Sequence, residues 1–356
     1  MKDLSKPVFV TGGTGLLGSH LIYALFSQGD KVRAIHRKTS NRDILRKVIG
    51  YYKGDAEKLL DLVEWTECDI NDYGRLSEVM QGVDFVYHCA AAVSFKNLGR
   101  ETIIDNNVTG TSNVVRGCLE NRIKKLCHVS SNAALGAKDG ELMVDETHEW
   151  HEEQHHSPYA ISKYLSEQEV WQGIRKGLNT VIVNPTIILG PGEWSRGSAS
   201  FFSRVDKGML FCTSGTTGYV DINDVVNSMI ALMRSGISGE RFIINSDNPT
   251  YKEFFTMVAS SVKARKPVIK VPRLFSYLVL PAVHLLEIVT RGKSALTKEM
   301  IKVAWSKITY DNSKIIKYTG ISFKPVEKSV QEIGRIYLEE RKRVPRKTEL
   351  RIRIPR

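Results

Sequence analysis

The chain has 356 residues, is 42% hydrophobic and carries a net charge of +12, enough apolar material for a sizeable core and more than one small domain needs. Five cysteines, an odd number with no Cys-x-x-Cys pair, argue against a disulfide framework or a zinc site and for a reducing, cytoplasmic setting. The first six residues run straight into an apolar stretch, so no signal peptide is expected, and no internal repeat or low-complexity tract is evident.

Pro7-Val8-Phe9-Val10-Thr11 is a short β-branched and aromatic run that reads as a buried strand over 7–11. It leads into Gly12-Gly13-Thr14-Gly15-Leu16-Leu17-Gly18 and an amphipathic stretch through Leu21, Ile22, Leu25 and Phe26. Strand, glycine-rich turn and helix are the context that a dinucleotide fingerprint requires. Thr11 then ends the strand, Gly12 allows the tight turn, Gly15 admits a pyrophosphate to the backbone, and Gly18 lets the helix pack closely. The N–H groups at the helix start, around Leu16, Leu17 and Gly18, offer a positive dipole end to phosphates. The competing interpretation is a tight βα turn with no ligand.

A second strand, 31–36, ends in His36-Arg37-Lys38-Thr39-Ser40. An acidic residue at this strand end suits a ribose 2′-hydroxyl, whereas cations suit a 2′-phosphate. With Arg37 and Lys38 there and no carboxylate, NADP(H) is expected over NAD(H); a solvated basic loop is the bland alternative.

Further strands are expected at 62–67, 84–89, 125–130, 179–184 and 240–245, with helical stretches between them. Alternation of this kind predicts an α/β fold with a doubly wound parallel sheet and ligands outside the carboxyl ends of its strands. Three segments fall there. Asp69 and Ile70 follow the third strand and can meet an adenine. Ala90 and Ala91 follow the fourth, with small side chains where a ribose and diphosphate would pass. Ser130 and Ser131 follow the fifth and bring hydroxyls toward Tyr159 and Lys163.

Tyr159 and Lys163 stand four residues apart in Ser157-Pro158-Tyr159-Ala160-Ile161-Ser162-Lys163, on one face of a helix that Ser157 can cap and Pro158 can begin. A free phenol titrates near 10, and a cation one turn away favours the phenolate, so the pair is a candidate proton donor. Four other features have plainer explanations. His148, His151, His155 and His156 have metal-like spacing, but a polar solvated loop is expected and no metal. Glu193 to Phe202 mixes aromatic and small polar groups, fit for a cyclic ligand or for packing. Leu274 to Leu286 is strongly apolar but short for a membrane span and broken by Pro281, so a lid or interface helix is expected and not membrane contact. Residues 341–356 hold eight cations and one anion and are expected to form a disordered tail with no nucleic-acid role.

Together these motifs resemble the extended short-chain dehydrogenase/reductases of the NAD-dependent epimerase/dehydratase type, most of all the dihydroflavonol-reductase-like branch. The resemblance spans about residues 7–340 and rests on Thr11-Gly12-x-x-Gly15-x-x-Gly18, Asp69-Ile70, Asn107-Val108-x-Gly110-Thr111-x-Asn113, Ser130-Ser131, Tyr159-x-x-x-Lys163, Asn184-Pro185-Thr186 and Tyr219-Val220-Asp221. It implies Ser131 as catalytic hydroxyl, Tyr159 as acid/base, and Lys163 as the group that lowers the tyrosine pKa and binds the nicotinamide ribose. Pro185 would line the nicotinamide pocket. A Rossmann domain over 1–185, completed by 219–245, and a substrate-binding lobe from 186–218 and 246–340 follow from the same likeness, as does a homodimer through helices near 100–120 and 158–172. Asn132-Ala133-Ala134-Leu135 departs from the tyrosine-containing run of many sugar epimerases, and the basic strand end departs from the NAD type. The expected activity is NADPH-dependent reduction of a ketone or aldehyde on a mid-sized cyclic small molecule. A nucleotide-sugar epimerase or dehydratase that recycles NAD is the alternative, and a non-catalytic dinucleotide sensor a third.

Overall fold

Residues 6–52, 54, 56–92, 100–136, 142–151, 156–272 and 304–343 are described by the structure, a computed structural model of the chain. In chain order the elements are β1 (Val8–Thr11), α1 (Leu16–Ser27), β2 (Val32–His36), α2 (Asp43–Tyr51), α3 (Ala56–Asp61), β3 (Val63–Glu67), α4 (Tyr73–Val79), β4 (Phe85–His88), α5 (Arg100–Glu120), β5 (Lys125–Val129), β6 (Met143–Val144) and α6 (Pro158–Arg175). They continue with β7 (Thr180–Pro185), β8 (Ile187–Leu189), α7 (Ser200–Asp206), β9 (Phe211–Cys212), β10 (Tyr219–Asp221), α8 (Ile222–Arg234), β11 (Glu240–Ile244), α9 (Tyr251–Ser261), β12 (Ile269–Lys270) and β13 (Thr309–Tyr310). Helices Ser313–Thr319 and Val326–Arg343 close the described chain.

Seven of these strands form one parallel sheet in the order β3-β2-β1-β4-β5-β7-β11. All seven lie within a residue of the spans expected from sequence. The physical reason is that a strand covered on both faces must be apolar at successive positions, which makes it conspicuous. In β1, Val8 and Val10 enter the core layer beneath α1, α2 and α8, whereas Phe9 enters the layer beneath α4, α5 and α6. Strand alternation repeats this division in β5, where Cys127 and Val129 face one layer and Leu126 the other. The chain winds outward from β1 to β3 and returns at β4, so the order reverses between β1 and β4. That reversal opens a crevice at their carboxyl ends.

A third core holds Leu189, Phe202, Val205, Tyr219, Phe254, Val258, Val330 and Ile333, drawn from β8, α7, β10, α9 and the Val326–Arg343 helix. Here the structure differs from one sequence expectation. The last helix runs to Arg343, three residues into the stretch expected to be a tail. Its final turns are anchored: Glu340 accepts from Trp194 Nε1 at 2.7 Å and pairs with Lys47 of α2 at 2.8 Å. Arg341 pairs with Asp206, which also accepts from the Tyr337 hydroxyl. Truncation after Leu338 should therefore lower the melting temperature, by roughly 2–5 °C, whereas truncation after Arg343 should leave it unchanged in a thermal scan. The expected tail residues 344–356 and the apolar stretch Leu274 to Leu286 lie outside the described residues.

Candidate active site

The glycine turn after β1 is shaped by close backbone contacts. Gly12 has φ +71°, and a Cβ there would lie 2.6 Å from the Ala90 nitrogen, so the turn presses directly on the loop after β4. A Cβ on Gly18 would lie 2.2 Å from the Gly12 carbonyl oxygen, which fixes how deeply α1 seats on the turn. At Gly15 only the Gly12 oxygen comes near, at 3.2 Å, leaving the outer side open. Gly15 is also the N-cap of α1 and brings no side chain to cap it, so the first-turn N–H groups at Leu16, Leu17 and Gly18 face outward without a side-chain acceptor. The loop Pro191-Gly192 reaches over this helix start, with His20 Nε2 against the Pro191 carbonyl at 3.0 Å.

β2 lies beside β1 and ends at His36; the next residues, Arg37 and Lys38, are exposed and without an ion pair among the described residues. The Arg37 N–H donates to Ser40 Oγ at 3.1 Å, which folds the basic loop back on itself. After β3, Asp69 accepts the Asn71 N–H at 3.0 Å in a tight turn, and the Ile70 carbonyl accepts from Asn113 Nδ2 at 3.0 Å. Ile70 Cδ1 occupies the notch at Gly110, where a Cβ would lie 2.4 Å away. Gly110 and Asn113 of α5 thus hold the loop after β3.

The end of β4 is held by an ordered polar chain. Ala90 N–H donates to Thr11 Oγ1 at 3.2 Å, and Thr11 Oγ1 meets His88 Nδ1 at 2.7 Å. His88 Nε2 meets Thr111 Oγ1 at 3.1 Å, and Thr111 donates to the Asn107 carbonyl at 2.8 Å. The set is self-consistent when neutral His88 donates from Nε2 and accepts at Nδ1. Asn107 also accepts the Ala92 N–H at 2.7 Å and donates to Ser162 on α6 at 3.0 Å, tying the 90–92 loop to the Tyr159 helix.

Burial pushes His88 down to about 3 and His20 down to about 4. Both stay neutral in the fold while an unfolded imidazole takes up a proton near 6.5, so folding stability is complete above that value and falls as pH drops through it. At pH 5 each ring should cost about 2 kcal/mol of stability, seen in urea midpoints measured between pH 7 and 5.

Ser157 caps α6 by accepting the Ala160 N–H at 3.1 Å, Pro158 occupies the first position and Tyr159 the second, as the spacing predicts. Ser131 sits at the head of the short 3-10 turn Asn132–Leu135, with its hydroxyl near enough to Tyr159 to favour the phenolate. Lys163, one turn further along α6, is 5% exposed and donates to the Val129 carbonyl at 2.9 Å, at the carboxyl end of β5. Ser131, Tyr159 and Lys163 therefore converge where expected. Their electrostatics differ from the expectation of a lysine-lowered phenol. Burial raises Tyr159 above its ordinary value, opposed by the Ser131 hydroxyl, and burial pushes Lys163 down to about 8.

Two supports were missed by sequence reasoning. Glu167, 1% exposed and four residues after Lys163, accepts from Ser130 Oγ at 2.6 Å, Asn184 Nδ2 at 2.9 Å, Trp171 Nε1 at 3.2 Å and Arg241 Nη1 at 3.2 Å. Asn184 Nδ2 also donates to the Ser131 carbonyl at 3.1 Å, and Pro185 beside it ends β7. One carboxylate thus joins the ends of β5, β7 and β11 behind the site. The second is Tyr310, a half-buried residue of β13 whose phenol lies beside Asn132, while Ser131 Oγ donates to Asn132 Oδ1 at 3.2 Å. The Tyr159-Lys163-Glu167 step of four was a usable signal for Glu167; Tyr310 had none.

Other expected groups play different parts. Trp194, Phe201 and Phe202 pack in the third core, with Phe202 fully buried, so these aromatics serve packing. His148 pairs with Asp145, and His156 stacks on Trp150 at 3.8 Å, which stacks on Tyr164 of α6 at 4.4 Å, so His148, Trp150, His151 and His156 are half-buried where full solvation was expected. His155 lies outside the described residues.

A family model described as NAD dependent epimerase/dehydratase family matches residues 8–245, two thirds of the chain and all seven strands of the sheet. The chain belongs to this family. Its members are enzymes that use nicotinamide dinucleotides, and it is similar to several that are reductases. It is 28% identical to sterol demethylase protein B of Methylococcus capsulatus over 265 residues, covering 74% of this chain and 76% of that protein. It is 24% identical to dihydroflavonol 4-reductase of Arabidopsis thaliana over 289 residues, covering 77% and 73%. Among solved structures, gox2253 superposes with a TM-score of 0.78 at 26% identity over 95% of this chain and 98% of that one. The dTDP-glucose 4,6-dehydratase DesIV from Streptomyces venezuelae, solved with NAD and TYD bound, shares the fold with a TM-score of 0.73 at 21% identity, covering 95% and 99%.

Proposed function

We propose that this family member is an NADPH-dependent reductase of a ketone or aldehyde on a mid-sized cyclic small molecule, working in a reducing cytoplasmic compartment. The observation that carries it is the pairing of a Ser131-Tyr159-Lys163 cluster with a β2 end that holds Arg37 and Lys38 and no carboxylate. A dinucleotide fits the turn in physical terms: Gly12 and Gly18 permit the close backbone contacts that shape it, Gly15 leaves its outer side without a Cβ, and the α1 start has uncapped N–H groups for phosphate. Thr11, Gly12, Gly15, Leu16, Leu17 and Gly18 would hold the pyrophosphate, Arg37 and Lys38 a 2′-phosphate, Asp69 and Ile70 the adenine. Ala90 and Ala91 would flank the riboses, Lys163 would reach the nicotinamide ribose, and Pro185 would border its ring.

A nicotinamide held by these residues would supply hydride to the carbonyl carbon. As negative charge grows on the carbonyl oxygen, Tyr159 delivers a proton to it and Ser131 donates a hydrogen bond that orients it. The raised phenol keeps its proton until that charge appears. Lys163, with Glu167 one turn behind, is lowered by burial to about 8 and so stays largely cationic at neutral pH, one helical turn from the phenol. The set in reverse oxidises an alcohol. A sensor would need none of it, and homologues named as reductases favour net reduction over internal recycling. A homodimer through α5 and α6 belongs to the same proposal.

Purified protein should consume NADPH with a member of a carbonyl panel and not with nucleotide sugars; retained NAD with sugar turnover and no net oxidation would reject the reading. By calorimetry at moderate salt, NADPH should bind more tightly than NADH, and Arg37→Ala should reduce that preference by about tenfold, one charge-assisted contact. Equal affinities in the unaltered protein would remove the argument from the strand end.

A further inference from the structure

We propose that the ribbon formed by β9 and β12 docks this protein on an anionic lipid bilayer. The two strands pair in parallel, with Phe211 opposite Ile269 and the Ile269 N–H on the Leu210 carbonyl at 3.1 Å. Leu210, Phe211, Val268 and Ile269 are 41%, 57%, 74% and 44% exposed, four of the ten exposed large hydrophobics among the described residues. Strand alternation puts Phe211 and Ile269 on one face and Leu210 and Val268 on the other. Cys212, 3% exposed and on the Leu210 side of β9, turns that side into the body, so the four exposed side chains form an apolar rim at the edge of the fold that can enter an acyl-chain boundary.

The charge around the ribbon selects the lipid. Arg204 and Lys207 lead into β9, and Lys263, Arg265 and Lys266 lead into β12; all five are exposed and none has an ion pair among the described residues. No Asp or Glu occurs in 207–220 or 254–272. Asp206, the nearest acid before β9, is engaged by Tyr337 and Arg341. Apolar side chains flanked by unpaired cations match an interface where the first enter the headgroup boundary and the second meet anionic headgroups. No described helix is long and apolar enough to cross a membrane, and the contact proposed is a peripheral one. This reverses the expectation, drawn from sequence, of no membrane contact, and it is independent of the proposed chemistry.

The test uses the full chain and sedimentation with vesicles of phosphatidylcholine alone or with phosphatidylserine. Binding should require phosphatidylserine and weaken as salt rises. Phe211→Ser with Ile269→Ser should lower the bound fraction about tenfold or more, and Arg265→Glu with Lys266→Glu, an exposed pair that leaves the ribbon intact, should abolish the preference for phosphatidylserine. Absence of binding to either vesicle overturns the proposal. So does a serine variant that, without lipid, melts lower or changes oligomeric state while vesicle binding is absent in the unaltered protein, since the ribbon is then covered by the chain itself or by a second copy.

Discussion

Tyr159→Phe should lower turnover about 100-fold or more with little change in cofactor affinity, measured by steady-state kinetics beside calorimetry. The ring stays, and the helix start does not depend on the phenol, because Ser157 and Pro158 set it. What is lost is the transferable proton and the phenol oxygen beside Ser131. Lys163→Ala should impair both quantities, since the proposed function places one ammonium beside both the tyrosine and the ribose. A Tyr159→Phe protein that keeps near-normal turnover on a genuine substrate would exclude the assigned role.

Gly18→Ala should be as damaging, by another route. Its Cβ would lie 2.2 Å from the Gly12 oxygen, 2.8 Å from the Gly12 carbonyl carbon and 3.0 Å from the Gly13 Cα, all backbone atoms with no side-chain freedom to yield. α1 must lift from the turn, at about 1–3 kcal/mol, and carry its N–H groups out of place. A fall in melting temperature together with at least tenfold weaker dinucleotide binding is expected. Gly50→Ala is the control: a Cβ there meets nothing within 4 Å, so stability and binding should hold. Unchanged binding by Gly18→Ala would separate the turn from the cofactor.

Much of the sheet and of the site's near side was legible because each signal is local. Continuous apolar strands, glycines at 12, 15 and 18, and a Ser-Pro helix start act over a few residues. What escaped is what folding brings from afar. Tyr310 reaches Asn132 from a strand nearly two hundred residues later, and Arg241 on β11 meets Glu167 on α6. The phenol's direction was misjudged because the spacing of Tyr159 and Lys163 reveals charge but not burial, and burial leads at both groups. The end of the last helix was misjudged for a related reason: a run of like charges reads as solvated until Asp206 appears beside Arg341.

The most direct test of the central claim follows the hydride. NADPH deuterated at C4, incubated with the enzyme and a carbonyl compound that it reduces, should yield one alcohol carrying deuterium at the former carbonyl carbon, with an equivalent of NADP⁺ formed. A nucleotide sugar rearranged with no net cofactor oxidation, and no labelled alcohol from any carbonyl compound, would contradict it.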